Sequence, residues 1–374
     1  MKKNFSNIIA FMLFLLTGGV AGVFMATASE RLLPEGASTL QFFQMIAVFI
    51  WVLILALVVQ TAIHEAGHWL FGRLTGYRFV SYRLYSLMWL NDGRSTRFRR
   101  YSLAGTGGQC LMEPPEMVNG ELPVTLYNLG GALLNLMASA VFALLAVLLR
   151  EQPVAWALFA VLAAAGVGFA LVNGIPMRLN LVDNDGMNAL ELRRNPAARR
   201  AFWIQLKIAA GISRDRTLND MPGEWFALPK DEDMDNSLVA SLAAFAANRL
   251  MEAQDFDGAD ALMARALMRP GAMPGIHQAL LTGDRIFCEL VGANRPEAVD
   301  ALLTKNQRKM MKAMKGQLAI LRTQYALARL HDRDDRAAAL LDRRLDAAFK
   351  TYPYPQEAEG ERRLVALVKE KARG

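Results

Sequence analysis

Four long apolar stretches stand out from the rest of this chain. The first, residues 8–26, is nineteen residues long. As a helix it rises about 28 Å, enough to cross a hydrocarbon core. Residues 29–40 form a short loop with Pro34 and Gly36. The second run, 42–59, lies within a predicted span of about 40–70 and has no polar face. A third span is predicted at 126–149 and a fourth at 154–172, joined by the tight turn Arg150-Glu151-Gln152-Pro153. The third contains Asn128, Gly130, Gly131 and Asn135. Glycines let helices approach closely, and Asn side chains hydrogen-bond across a bundle.

Between the second and third spans the pattern changes. Residues 77–90 are rich in aromatic, Val and Leu residues with partial alternation, Asn91-Asp92-Gly93 is a turn signal, and 96–103 is a second extended run. This predicts a β-hairpin over about 77–103. Such a hairpin either caps the membrane interface or offers an edge to an extended substrate strand. Gly105-Thr106-Gly107-Gly108 and Pro114-Pro115 then make an irregular loop, and Asn173-Gly174-Ile175-Pro176 breaks the fourth span. From about Pro196 charged residues spread through Ala- and Leu-rich helical segments with no further span. Ala259, Ala298 and Ala337, each 39 residues apart, head three similar stretches. The pattern predicts stacked helical hairpins, an α-solenoid resembling tetratricopeptide repeats in architecture, with a simple helical bundle as the alternative. The expected fold is mainly α. Residues 1–40 hold the first span and an external loop, 41–192 a membrane core with the hairpin insert, and 193–374 a helical repeat domain.

Charge orients this arrangement. Arg73, Arg78, Arg83, Arg94, Arg97, Arg99 and Arg100 follow the second span against one acid, Asp92. Basic residues flanking a span mark the cytoplasmic side, which places the C-terminal domain in the cytoplasm of an inner or plasma membrane protein. The net charge of +7 invites a nucleic-acid reading. That reading is excluded, because the basic residues cluster beside apolar spans without an interleaved aromatic platform. Ala26-Thr27-Ala28 could end a signal peptide, but the first apolar run is longer than a usual signal core and favours a retained span. Cys110 and Cys288 are far apart and form neither a disulfide framework nor a cysteine metal site.

The chemistry concentrates at Thr61-Ala62-Ile63-His64-Glu65-Ala66-Gly67-His68. His64 and His68 lie one helical turn apart on one face, a spacing that lets two imidazoles hold one zinc ion. Glu65, beside the first histidine, is placed to take a proton from a water at that metal. Ionisable residues within a span are functional candidates by default. Catalytic zinc has three protein ligands. Asp183 or Asp185, after the fourth span, reaches the same membrane level and could be the third.

These residues resemble the site-2 protease family of intramembrane zinc metalloproteases over about 40–192. His64-Glu65-Ala66-Gly67-His68 fits its H-E-x-x-H. Gly130-Gly131-Ala132-Leu133-Leu134-Asn135 resembles its small-residue segment ending in Asn, with Gly131 where Pro is common. Asn173-Gly174-Ile175-Pro176 with Asp185-Gly186 resembles its N-x-x-P and D-G pair, at a longer gap. The resemblance implies zinc on His64, His68 and Asp185, preferred over Asp183 because Gly follows it. It implies Glu65 as general base and acid, and Asn135 and Asn173 as holders of the substrate backbone. The substrate expected is a membrane-anchored or membrane-associated protein or peptide in the lipid bilayer, with a cytoplasmic protein partner on the helical domain. Maturation of a small secreted or signalling peptide is a second reading, and a catalytically silent scaffold a third. A zinc transporter fits poorly, since no inverted repeat accompanies the four spans.

Overall fold

A computed structural model describes residues 3–373, except 103–105, 180–182, 231, 269–272 and 274. The end of the expected second extended run, Gly105 of the glycine loop, and residues 180–182 before Asp183 lie outside the described residues. Four described helices are long and apolar enough to cross a membrane: α1 (Lys3–Leu32), α2 (Thr39–Leu74), α3 (Val124–Leu148) and α4 (Pro153–Gly174). Their outer faces carry exposed large apolar side chains, among them Phe14, Leu16, Trp51, Val147 and Leu148. Bare apolar belts of this extent are what a bilayer covers.

The helix ends follow from local chemistry. Ser38 and Gln41 form a capping box that starts α2. Pro153 opens α4 at its first helical position, where its missing N–H is not needed. At 36 residues α2 is about 54 Å long, well beyond the hydrocarbon thickness.

The extended region is larger than the predicted hairpin. Four strands form a small antiparallel sheet: β1 (Arg78–Leu84), β2 (Leu87–Asn91), β3 (Thr96–Arg100) and β4 (Gly108–Glu113). The run 77–90 is not one strand, because it breaks at Tyr85, whose φ of 53° is left-handed. β2 and β3 are the hairpin around Asn91-Asp92-Gly93, with Trp89 opposite Phe98. β4, which reads from sequence as irregular loop, pairs with β1, placing Cys110 opposite Tyr82.

The chain divides into two compact units, Met1–Leu84 with Thr106–Asn195, and Tyr85–Gly105 with Pro196–Gly374. In the first, α4 packs on α1, α2 and α3, and β1 and β4 lie on α2. Ala21, Ala56, Val161 and Leu162 fill the junction of α1, α2 and α4. A short helix, α5 (Asp185–Arg194), packs on α3 and α4.

The second unit holds β2, β3 and the helices α6 (Pro196–Ser213), α7 (Ser237–Glu252), α8 (Phe256–Leu267), α9 (Gly275–Val291) and α10 (Pro296–Leu302). They are followed by α11 (Lys305–Ala313), α12 (Leu318–Ala326), α13 (Asp335–Thr351) and α14 (Pro355–Lys371). The segment after β3 is tied to these helices by Tyr101, whose ring meets those of Tyr352 and Tyr354 edge-on. The three sequence echoes fall at the starts of α8, α10 and α13. Each start follows a left-handed residue, Gln254, Asn294 and Arg333 in turn.

Candidate metal centre

α2 carries His64 and His68, both buried. Tyr127 and Asn135 face them from α3. His68 Nδ1 lies 2.8 Å from the Tyr127 carbonyl oxygen. A carbonyl only accepts, so Nδ1 carries the proton and the Nε2 lone pair faces away from α3. His64 Nδ1 lies 2.9 Å from Asn135 Oδ1. The orientation of that amide is settled by its other end, where Nδ2 donates to the Gln60 carbonyl at 3.0 Å and to Gln60 Oε1 at 2.7 Å. Two acceptors there require the NH₂ group, so Oδ1 faces His64 and His64 also presents Nε2.

The third donor is Asp185, the first residue of α5. Its Oδ2 lies 3.0 Å from His64 Nε2 and 3.4 Å from His68 Nε2, and the two Nε2 atoms are 3.2 Å apart. Oδ2 is buried without a hydrogen-bond partner. Three lone-pair atoms this close repel one another unless a cation sits among them. Zinc bonds of about 2.0–2.1 Å put tetrahedral donors about 3.3 Å apart, so the triad fits such an ion. Among the described residues, His64, His68 and Asp185 form a cluster that could hold a metal ion.

Backbone geometry brings these groups together. Asn184 caps α5 and ties it to the end of α4. Its Oδ1 accepts from the Met177 and Met187 amides at 2.9 Å, and its Nδ2 donates to the Val172 and Ile175 carbonyls at 2.7 and 2.6 Å. Gly186 passes so close to the end of α4 that an added Cβ would lie 2.2 Å from the Gly174 oxygen. Gly131 leaves room for the His64 ring, 2.5–2.8 Å from where its Cβ would be. Gly67 and Gly130 put the backbones of α2 and α3 in direct contact, with a Cβ on Gly67 only 2.3 Å from the Gly130 oxygen.

Glu65 is buried on the same helix, close enough to His68, His64 and Asp185 for their charges to act on its carboxylate. β4 runs beside it. The Cys110 backbone amide hydrogen-bonds to Glu65, and an added Cβ on Gly108 would meet Glu65 Oε1 at 2.5 Å. Tyr82 of β1 donates to the Ala62 carbonyl at 2.8 Å, tying the strand pair to α2. Burial and then the nearby Glu65 push the free Cys110 thiol up, and the same two causes, with Cys110, push the Tyr82 hydroxyl up to about 12.

Of the two candidate third donors, Asp185 joins the triad. Asp183 forms an isolated backbone bridge with Arg178. Asn135 is fully buried, and its side-chain amide is engaged with His64 and Gln60. Asn173 donates to Phe169 within α4 at 2.9 Å. Sequence reasoning does not single out Gln60 or Asn184. The available signal for Gln60 is an uncharged polar residue one turn before the motif in an otherwise apolar run. For Asn184 it is the helix-capping residue type directly before Asp-Gly. Comparison with family models, with curated proteins and with solved structures gives no match for this chain.

Proposed function

We propose that the chain is a membrane-embedded zinc endopeptidase of the site-2 protease kind, cutting membrane-anchored or membrane-associated substrates near the cytoplasmic face. The observation that carries this reading is the convergence of His64, His68 and Asp185, with an orphaned Asp185 oxygen, beside the Glu65 carboxylate. Two imidazoles and one carboxylate leave an open tetrahedral position, the donor set of catalytic zinc. Zinc held there would polarise a scissile carbonyl and lower the pKa of a water toward about 7.

The protein's own part is proton transfer and positioning. Glu65 removes a proton from the attacking water as the C–O bond forms, and delivers it to the amine as the C–N bond breaks. The Cys110 amide holds the Glu65 carboxylate in place. β4 pairs with β1 and ends the sheet, so its outer edge can receive an extended peptide as an added strand beside Glu65. The three left-handed turns before α8, α10 and α13 support the solenoid reading of the C-terminal helices, which would recruit a substrate leader or a cytoplasmic protein partner. A silent scaffold would have no use for a buried carboxylate at position 65.

The test uses purified wild type and Glu65→Gln, with zinc per chain measured and both incubated with single-span peptides. The expected result is one zinc in each and cleavage by the wild type alone. Zinc in both with equal cleavage would remove Glu65 from the mechanism. A folded wild type that takes up no zinc would defeat the proposal.

A further inference from the structure

Gln60 is a fully buried amide in the middle of an apolar helix, one turn before His64. A buried amide without partners costs several kcal/mol in hydrocarbon, so its bonds need explaining. They form one directional chain. Gln60 Nε2 donates to the Leu162 carbonyl of α4 at 2.8 Å. That bond turns Gln60 Oε1 toward α3, where it accepts from Asn135 Nδ2 at 2.7 Å. Asn135 Oδ1 then accepts from His64 Nδ1 at 2.9 Å. Each donor sets the polarity of the next, and the end of the chain is the lone pair on His64 Nε2.

Gly166 of α4 leaves the room this chain needs. A Cβ there would lie 2.2 Å from Ser139 Oγ, 2.8 Å from Gln60 Nε2 and 2.9 Å from Gln60 Oε1. The gap therefore admits both the Gln60 amide and the Ser139 hydroxyl of α3.

We infer that Gln60 is a positioning residue for the metal. Through Asn135 it fixes the tautomer and ring orientation of His64, so that Nε2 faces Asp185 and His68. The inference rests on the metal reading proposed above and adds to it a partner drawn from a third span. Groups that orient a ligating imidazole in this way typically contribute 10–100-fold to metal affinity.

The experiment compares full-length wild type, Gln60→Leu, Gln60→Glu and Gly166→Ala. Gln60→Leu keeps the size of the side chain and removes both side-chain bonds, leaving only the backbone carbonyl of position 60 to hold Asn135 Nδ2. Gln60→Glu, neutral when protonated within the bilayer, restores a donor toward Leu162 and an acceptor toward Asn135. Gly166→Ala leaves Gln60 in place chemically but crowds it together with Ser139. Zinc affinity is read by competition with a chelator, and ligand geometry by the visible spectrum of the cobalt-substituted protein. Circular dichroism melting without metal reports on folding.

The expected result is a 10–100-fold loss of zinc affinity and an altered cobalt spectrum in Gln60→Leu and Gly166→Ala, with Gln60→Glu near wild type. Metal-free melting should be alike in Gln60→Leu and wild type. Equal affinity and an equal spectrum in wild type and Gln60→Leu would overturn the inference and leave the metal reading standing. A wild type that binds neither zinc nor cobalt would overturn both.

Discussion

At the scale of single residues, distance favours one of two aspartates. Asp185 Oδ2 lies within 3.4 Å of both imidazole Nε2 atoms, while Asp183 forms its bridge with Arg178. Asp185→Asn replaces an anionic donor with a neutral amide and should abolish retention of zinc through dialysis. Asp183→Asn should keep it. Zinc per chain after dialysis measures both, and loss in Asp183→Asn alone would reverse the assignment. The H-E-x-x-H pair is legible in the sequence because its geometry is local, set by one turn of one helix. Gln60 is not, because its partners, Asn135 and Leu162, are 75 and 102 residues away. Nothing in a neighbouring residue announces a bond across that separation.

At the scale of elements, the candidate metal centre depends on how α5 is started. Asn184 makes four side-chain hydrogen bonds that join the end of α4, the following loop and the first turn of α5. Asn184→Ala removes a helix cap worth about 1 kcal/mol and loosens the first turn of α5, which carries Asp185. The expected outcome is a lower unfolding midpoint, with a further drop in metal retention that the cap energy alone does not explain. Thermal melting with and without zinc separates the two effects. An equal drop in both states would confine Asn184 to capping.

The four spans are legible because a long, unbroken apolar run leaves a helix no face to turn toward water. The sheet is only half legible. Gly108-Gln109-Cys110-Leu111-Met112-Glu113 has little β-branched or aromatic character and follows a glycine cluster, so it reads as loop. Its pairing with β1 is a tertiary outcome. The break at Tyr85 is hidden for a related reason, since a left-handed non-glycine residue leaves no compositional mark.

At the scale of the whole molecule, the second unit has a buried charge centre of its own. Arg322, with its side chain 3% exposed, bonds both oxygens of Glu361 at 2.9 and 3.0 Å and also contacts Asp284. Its guanidinium stacks on Phe287, 4.3 Å from the ring centre. Burial pushes both carboxyls upward, and Arg322 opposes that shift in each. Arg322→Met strands two buried acids, and truncation of this kind costs about 3–5 kcal/mol. Denaturant unfolding of the full chain should show that loss, while zinc affinity stays as in wild type. A change below about 1 kcal/mol would mean that the acids simply become neutral. This centre joins α9, α12 and α14, and its three members are spread over nearly eighty positions. In sequence each looks like an ordinary surface charge of an amphipathic helix.

The bare backbone contact between Gly67 and Gly130 has a mechanical consequence. With no side chain between them to repack, α2 and α3 cannot slide or roll past each other without a steric collision. Both histidines and the groups that hold their Nδ1 protons belong to that welded pair. If a peptide is to reach Glu65, the yielding part must be one fastened by side chains and strand edges: the β1–β4 pair, held to α2 through Tyr82. The site would then open as a door does, with its frame fixed and both imidazoles already in shape before the peptide arrives.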